Sequence, residues 1–133
     1  MLHSVTLVGN IADAPSSRGG NLVSSESAHV LNSIIAKGKA VTGSNCDGAV
    51  KASGHDLEDA DTCGFNGTGD RVNKNPKLRD LARNGGPTRT MALRRRSPAI
   101  NHAGRKSSPK RDQRGFKRGA RPDIGAYEFG AKR

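Results

Sequence analysis

The chain has 133 residues, of which 32% are hydrophobic and 3% aromatic with no Trp, and a formal net charge of +11. That length suits one domain, but so few large apolar side chains exclude a thick two-layer core, and no run of about 18 apolar residues exists to span a membrane as a helix. The balance fits either a thin solenoid whose core is a narrow stack of small aliphatics, or partial disorder, and 17 glycines point to many tight turns.

In chain order, the first predicted elements are short aliphatic runs broken by Gly, Asn and Ser: Val5–Val8, Asn21–Val23, Val30–Ala36 and Ala49–Val50. β-branched residues dominate them, each is of strand length, and no window carries a 3.6-residue period. The chain is therefore predicted to be all-β with almost no helix. Thr6 to Ser33 covers about one coil and a fraction of a solenoid whose coil takes about 20–29 residues. An irregular β-rich sandwich fragment is the competing reading. The N-terminus, Met1-Leu2-His3-Ser4-Val5, lacks the charged and apolar regions of a signal peptide and enters a strand in mid-flow. A chain that begins inside a repeat leaves an unpaired strand edge, through which self-association is expected.

Cys46 and Cys63 enclose a loop rich in Gly and Asp. A bridge would remove about 3 kcal/mol of loop entropy from the unfolded chain, a useful gain for a thin core, whereas two free thiols are expected of a cytosolic protein. Between them, Asp56, Glu58, Asp59 and Asp61 are candidate oxygen ligands for calcium, although their spacing does not match an EF-hand. A solvated acidic loop, or one paired with the basic tail, is the alternative. Asn66-Gly67-Thr68 fits a glycosylation sequon by pattern alone.

The last third, Asn84 to Phe129, opens on a turn forced by Gly85, Gly86 and Pro87. Short apolar beads follow: Met91 and Leu93, Ala99 and Ile100, Phe116, Ile124, Tyr127 and Phe129. Each is too short for an amphipathic helix, so the segment reads as an extended strap over something already folded. Charge divides unevenly along the chain. Residues 1–70 hold four basic and eight acidic side chains, a net of −4, and residues 71–133 hold nineteen basic and four acidic, a net of +15. Arg94, Arg95, Arg96, Arg105, Lys106, Lys110, Arg111, Arg114, Lys117 and Arg118 form a basic series suited to polyanions.

Ten ordered blocks, among them Asn32-Ser33-Ile34-Ile35-Ala36, Asn84-Gly85-Gly86-Pro87-Thr88, Ser97-Pro98-Ala99-Ile100, Asp112-Gln113-Arg114-Gly115 and Asp123-Ile124-Gly125-Ala126-Tyr127-Glu128, lie between residues 28 and 129. Together they resemble the C-terminal part of bacterial right-handed parallel β-helix surface proteins, the group with polymorphic-outer-membrane-protein-like repeats labelled choice-of-anchor Q. The resemblance implies a secreted or cell-surface, non-enzymatic protein. Its expected architecture is a short right-handed parallel β-helix over residues 1–65, its end covered by an irregular segment over residues 66–133. Leu7, Val30, Leu31, Ile34, Ile35, Val50, Leu57 and Phe65 are its predicted core. The departures from the group pattern, such as Arg95-Arg96 in place of Pro-Gly, run toward positive charge.

The resemblance further implies an adhesive or structural function; a component of the cell envelope or extracellular matrix is the expected partner, and no cofactor is expected beyond the calcium candidate. His3, His29, His55 and His102 are scattered, and no nucleophile elbow, phosphate loop or zinc helix is present. Two further readings are a basic protein that binds polyanions or nucleic acid, and a polysaccharide lyase using Asp56, Asp59 and an Arg, the latter by fold analogy alone. Phe116 is the one aromatic inside the basic series, so a base-stacking platform is missing.

Overall fold

The computed structural model describes residues 1–132. The described residues form strands and no helix: β1 (Leu2–His3), β2 (Thr6–Val8), β3 (Leu22–Leu31), β4 (Ile34–Ala36), β5 (Cys46–Ala52), β6 (Leu57–Glu58), β7 (Leu78–Ala82) and β8 (Thr90–Leu93). The first six build two parallel sheets, ordered β1-β3-β5 and β2-β4-β6. Each passage of the chain adds one strand to each sheet. Leu2 lies beside Val30 and Thr6 beside Ile34; then Val30 lies beside Ala52 and Ile34 beside Leu57. An isolated parallel bridge from Leu57 to Arg71 carries the second sheet one step past β6.

Between the sheets the chain turns the same corner three times, each time on a residue in the left-handed region: Ser4 (φ 53°), Asn32 (φ 53°) and His55 (φ 57°). Short polar side chains tolerate that region better than β-branched ones, and Asn32 accordingly breaks the run Val30–Ala36 in two. Each corner is tied to the next layer, since Ser4 N–H donates to Leu31 O, Asn32 N–H to Gly54 O and His55 N–H to Thr68 O. On another edge a line of amides crosses the layers. Asn10 Nδ2 donates to Asn21 Oδ1, Asn21 Nδ2 to Asn45 Oδ1, and Asn45 Nδ2 to the fully buried Glu58.

Side chains alternate across the strands, and both sides of the second sheet are covered. Ile35 joins Val30, Cys46, Cys63 and Phe65 in one cluster between the two sheets, with Leu7 and Val50 at its margin. Cys46 and Cys63 are disulfide-bonded there, with Cα atoms 4.8 Å apart, which removes the free-thiol alternative. Ile34, Ala36 and Leu57 face the other way and pack with Leu78, Leu93, Ala99, Ala103 and Ile124. The C-terminal segment therefore lies across the flank of the β2-β4-β6 sheet, where the strap was expected to close an end of the stack. A parallel sheet buried on both faces reads as a continuous apolar run, and Ile34-Ile35-Ala36 is such a run. Each large side chain so buried contributes about 1.5–3 kcal/mol.

The segment is also more regular than a strap, because β7 and β8 pair as an antiparallel hairpin with Leu78 beside Leu93. Of the predicted core, Val30, Ile34, Ile35, Leu57 and Phe65 are buried, while Leu7, Leu31 and Val50 are half-buried. Of the apolar beads, Leu93, Ala99 and Ile124 are buried, whereas Phe129 is 41% exposed.

Candidate functional site

The charges of the C-terminal segment resolve into two sets with opposite fates. One set is internal. Arg114 donates through Nε and Nη2 to Asp112 Oδ2 at 2.9 and 2.7 Å, and through Nη2 to Glu128 O at 2.7 Å. Its guanidinium lies 4.4 Å from the Phe116 ring centroid and 3.7 Å from that of Tyr127, a stacked geometry that Lys could not reproduce. Arg118 donates to Glu128 Oε2 at 3.1 Å and to the carbonyls of Asp123 and Gly125. Both ion pairs are buried. The acids in turn accept backbone N–H groups: Asp112 from Phe116 and Glu128, Glu128 from Gly119 and Asp123, and Asp123 from Asn101 and Phe129.

Asp123 is buried, and that desolvation pushes its carboxyl up to about 6 against the hydrogen bonds from Phe129 and Asn101. Asp56 is pushed up to about 7, again by burial, with the Asp70 carboxylate adding to the rise and hydrogen bonds from Ser33 and Gly54 opposing it. Asp56 Oδ2 is buried with no hydrogen-bond partner.

The other set of cations lines two adjoining clefts. The loop from Asn101 to Ser108 packs against the left-handed corner of the sheets: Gly104 N–H donates to Asn32 Oδ1, Asn32 Nδ2 to Ser107 Oγ, and the His3 ring contacts Ser107 O. Between that loop and the corner opens a cleft of about 570 Å³ lined by His55, Arg71, His102, Arg105, Lys106 and Arg121. A second cleft of about 550 Å³ shares Arg105 and Lys106 and continues past Lys110 and Lys117. No Asp or Glu lines either cleft. Arg71 Nε is buried at the first cleft without a hydrogen-bond partner.

Of the polyanion residues predicted from sequence, Arg105, Lys106, Lys110 and Lys117 are brought together at these clefts. Arg118 lies on the wall of the second cleft, but its guanidinium is turned into the internal ion pair. Arg111 donates to Gly115 O on the exposed surface. Arg94, Arg95 and Arg96 are exposed on the turn after β8 and line neither cleft. Sequence reasoning missed Arg71, Arg121, His55 and His102. The repeated left-handed corner is the signal that places His55, since it occupies the position of Asn32 one layer away and of Ser4 two layers away.

Three of the four calcium candidates accept backbone N–H groups. Asp56 accepts from Ser33 N–H, Asp59 from Lys37 N–H, and Glu58 from the N–H groups of Thr62 and Cys63, while Asp61 is exposed. Among the described residues no group of three or more His, Cys, Asp or Glu gathers as a metal site, and no helix is long and apolar enough to cross a membrane. No protein-family model, curated protein or solved structure matches this chain.

Proposed function

We propose that this chain is a non-enzymatic, adhesive segment of a secreted or cell-surface right-handed parallel β-helix, and that it holds acidic polymers on its basic clefts. The β-helix reading is supported by the strand-per-passage growth of both parallel sheets. Right-handedness follows from the general preference of parallel crossovers, about 98% of which have that hand. The disulfide suits an oxidising compartment. β1 and β2, at the edges of their sheets, are where a further layer or a second copy would pair. The non-enzymatic reading is favoured over a lyase because Asp56 and Asp59 hold backbone N–H groups on the sheet stack.

The observation that carries the reading is the pair of adjoining clefts with cations from Arg71 to Arg121 and no acidic lining. An opposing wall of one charge sign concentrates polyanions and speeds their encounter. Binding of fluorescein-labelled heparin, followed by anisotropy at increasing NaCl, tests it. Affinity is expected to fall steeply, by about one to two orders of magnitude from low to physiological salt if two or three cations release counterions. No binding at low salt, or binding indifferent to salt, refutes the proposal.

A further inference from the structure

We infer that the cleft between the His55 corner and the Asn101–Ser107 loop is a proton-coupled pocket for the oxyanion groups, sulfate ester or uronate, of an acidic glycan. The inference rests on the polymer-binding reading above and assigns it a ligand class and a residue set. The chemistry lies in the two imidazoles. His55 Nδ1 is 2.8 Å from His102 O, and His102 Nδ1 is 2.6 Å from Ile100 O. A carbonyl oxygen only accepts, so each Nδ1 must carry the proton and donate it. Neutral, each ring then presents at Nε2 a lone pair, which repels an oxyanion; protonated, it presents an N–H donor. The His55 ring is held in place, since a Cβ on Gly69 would stand 2.7 Å from its Cε1 and one on Gly104 3.0 Å from its Cδ2.

The charged groups around the rings set the sign of the coupling. Arg71, Arg105, Lys106 and Arg121 share the cleft and attract an anion into it. The nearest carboxylates of the corner are engaged elsewhere: Asp70 accepts from Asp56 N–H and Gly67 N–H, and Asp56 from Ser33 N–H. An oxyanion entering the cleft meets the four cations and gains a further N–H donor from an imidazolium that the neutral ring does not offer. Anion and proton therefore bind cooperatively, each tightening the other by the same factor. A glycan is favoured over a nucleic acid because no Phe, Tyr or Trp lines either cleft, so a base entering them meets no such ring to stack on. The shared Arg105–Lys106 ridge lets one chain place successive anionic groups in both clefts.

The test is calorimetric titration of the whole chain with a heparin hexasaccharide at neutral pH, in two buffers of different ionisation enthalpy. Net proton uptake is the expected result, and its absence overturns the coupling. Between about pH 8 and pH 5.5, affinity should rise by up to about tenfold per pH unit for each proton taken up. His102→Gln, at an exposed position, should lower that slope, and the double variant with His55→Gln should abolish it; an unchanged slope overturns the assignment. Arg71→Gln and Arg121→Gln should each weaken binding by about tenfold, whereas joint replacement of Arg94, Arg95 and Arg96 by Gln should cost about threefold or less. Equal losses from both sets overturn the cleft as the site while leaving polymer binding intact. If the wild-type chain binds no polyanion at low salt, the functional reading itself has failed. A hyaluronan hexasaccharide, which carries uronate alone, separates the two oxyanion sources, and tighter binding of an oligothymidylate of equal charge overturns the glycan class.

Discussion

Lys117 and Arg118 are neighbours in a basic run, yet the structure gives them different work, and replacing each by Gln separates surface from interior. Arg118 has a side chain 3% exposed and its partner Glu128 one 5% exposed. Removing the guanidinium strands the Glu128 carboxylate on two N–H donors, from Gly119 and Asp123, and leaves the carbonyls of Asp123 and Gly125 without theirs. Breaking a buried pair from one side costs about 3–5 kcal/mol, a large part of the roughly 5–15 kcal/mol by which a domain is stable. For a chain of this size that corresponds to a fall of about 10–20 °C in Tm. Thermal unfolding followed by circular dichroism, with the disulfide kept oxidised, should show that fall for Arg118→Gln and almost none for Lys117→Gln. Heparin affinity measured well below both transitions should show the reverse order of effects. A Tm for Arg118→Gln within about 3 °C of the parent would refute the claim that the pair secures the segment.

Two further outcomes follow from buried groups. Asp56 ionises near 7 in the folded protein against 3.8 for the free group, so the folded state holds an extra proton between those values; its contribution is full below pH 3.8 and is lost as pH rises to about 7. Denaturant melts at stepped pH should show a loss on the order of 3–4 kcal/mol over that window, with Asp123 adding in the same direction up to about 6, and Asp56→Asn should flatten most of the slope. Gly125 has φ 93°, and a Cβ there would stand 2.8 Å from both Ile34 Cδ1 and Thr6 Oγ1. Gly125→Ala should destabilise the chain by about 1–3 kcal/mol and speed limited proteolysis of the C-terminal segment; an unchanged digestion rate would show that the segment is not seated through that contact.

The all-β class was legible because β-branched runs of strand length recur without a helical period, and those runs became β2, β3, β4 and β5. The disulfide was legible as a spacing, and its position inside the core between the sheets was not. What the sequence concealed was direction. Ile34, Ile35 and Ala36 are equally apolar, and only the second packs between the sheets, so the face on which the C-terminal segment packs could not be read from the run. The same blindness applied to charge. Arg114, Arg118, Lys110 and Lys117 look alike in a basic run, and what separates them is whether Asp112 or Glu128, up to 14 residues away, lies opposite in space. Glu58 and Asp59 read as candidate ligands by density, and what no spacing announced is that they accept backbone N–H groups, Glu58 from Thr62 and Cys63 and Asp59 from Lys37.

That sorting of charges also explains how a segment with a net of +15 can fold at all. Its four acids are Asp80, Asp112, Asp123 and Glu128, and the last three are buried around Arg114 and Arg118. Concentrating the scarce carboxylates in the interior satisfies two guanidinium groups and several backbone N–H donors at the place where an unpaired charge costs most. The consequence is that almost no negative charge remains outside to neutralise the other cations. The clefts are therefore bare of acid for a structural reason: the residues that could have screened them hold the segment's own turns together. A surface so made is stabilised whenever an external anion takes the place of the missing carboxylates, because a ligand that binds only the folded chain adds its binding free energy to stability. Fold and proposed function thus meet in one allocation of charge.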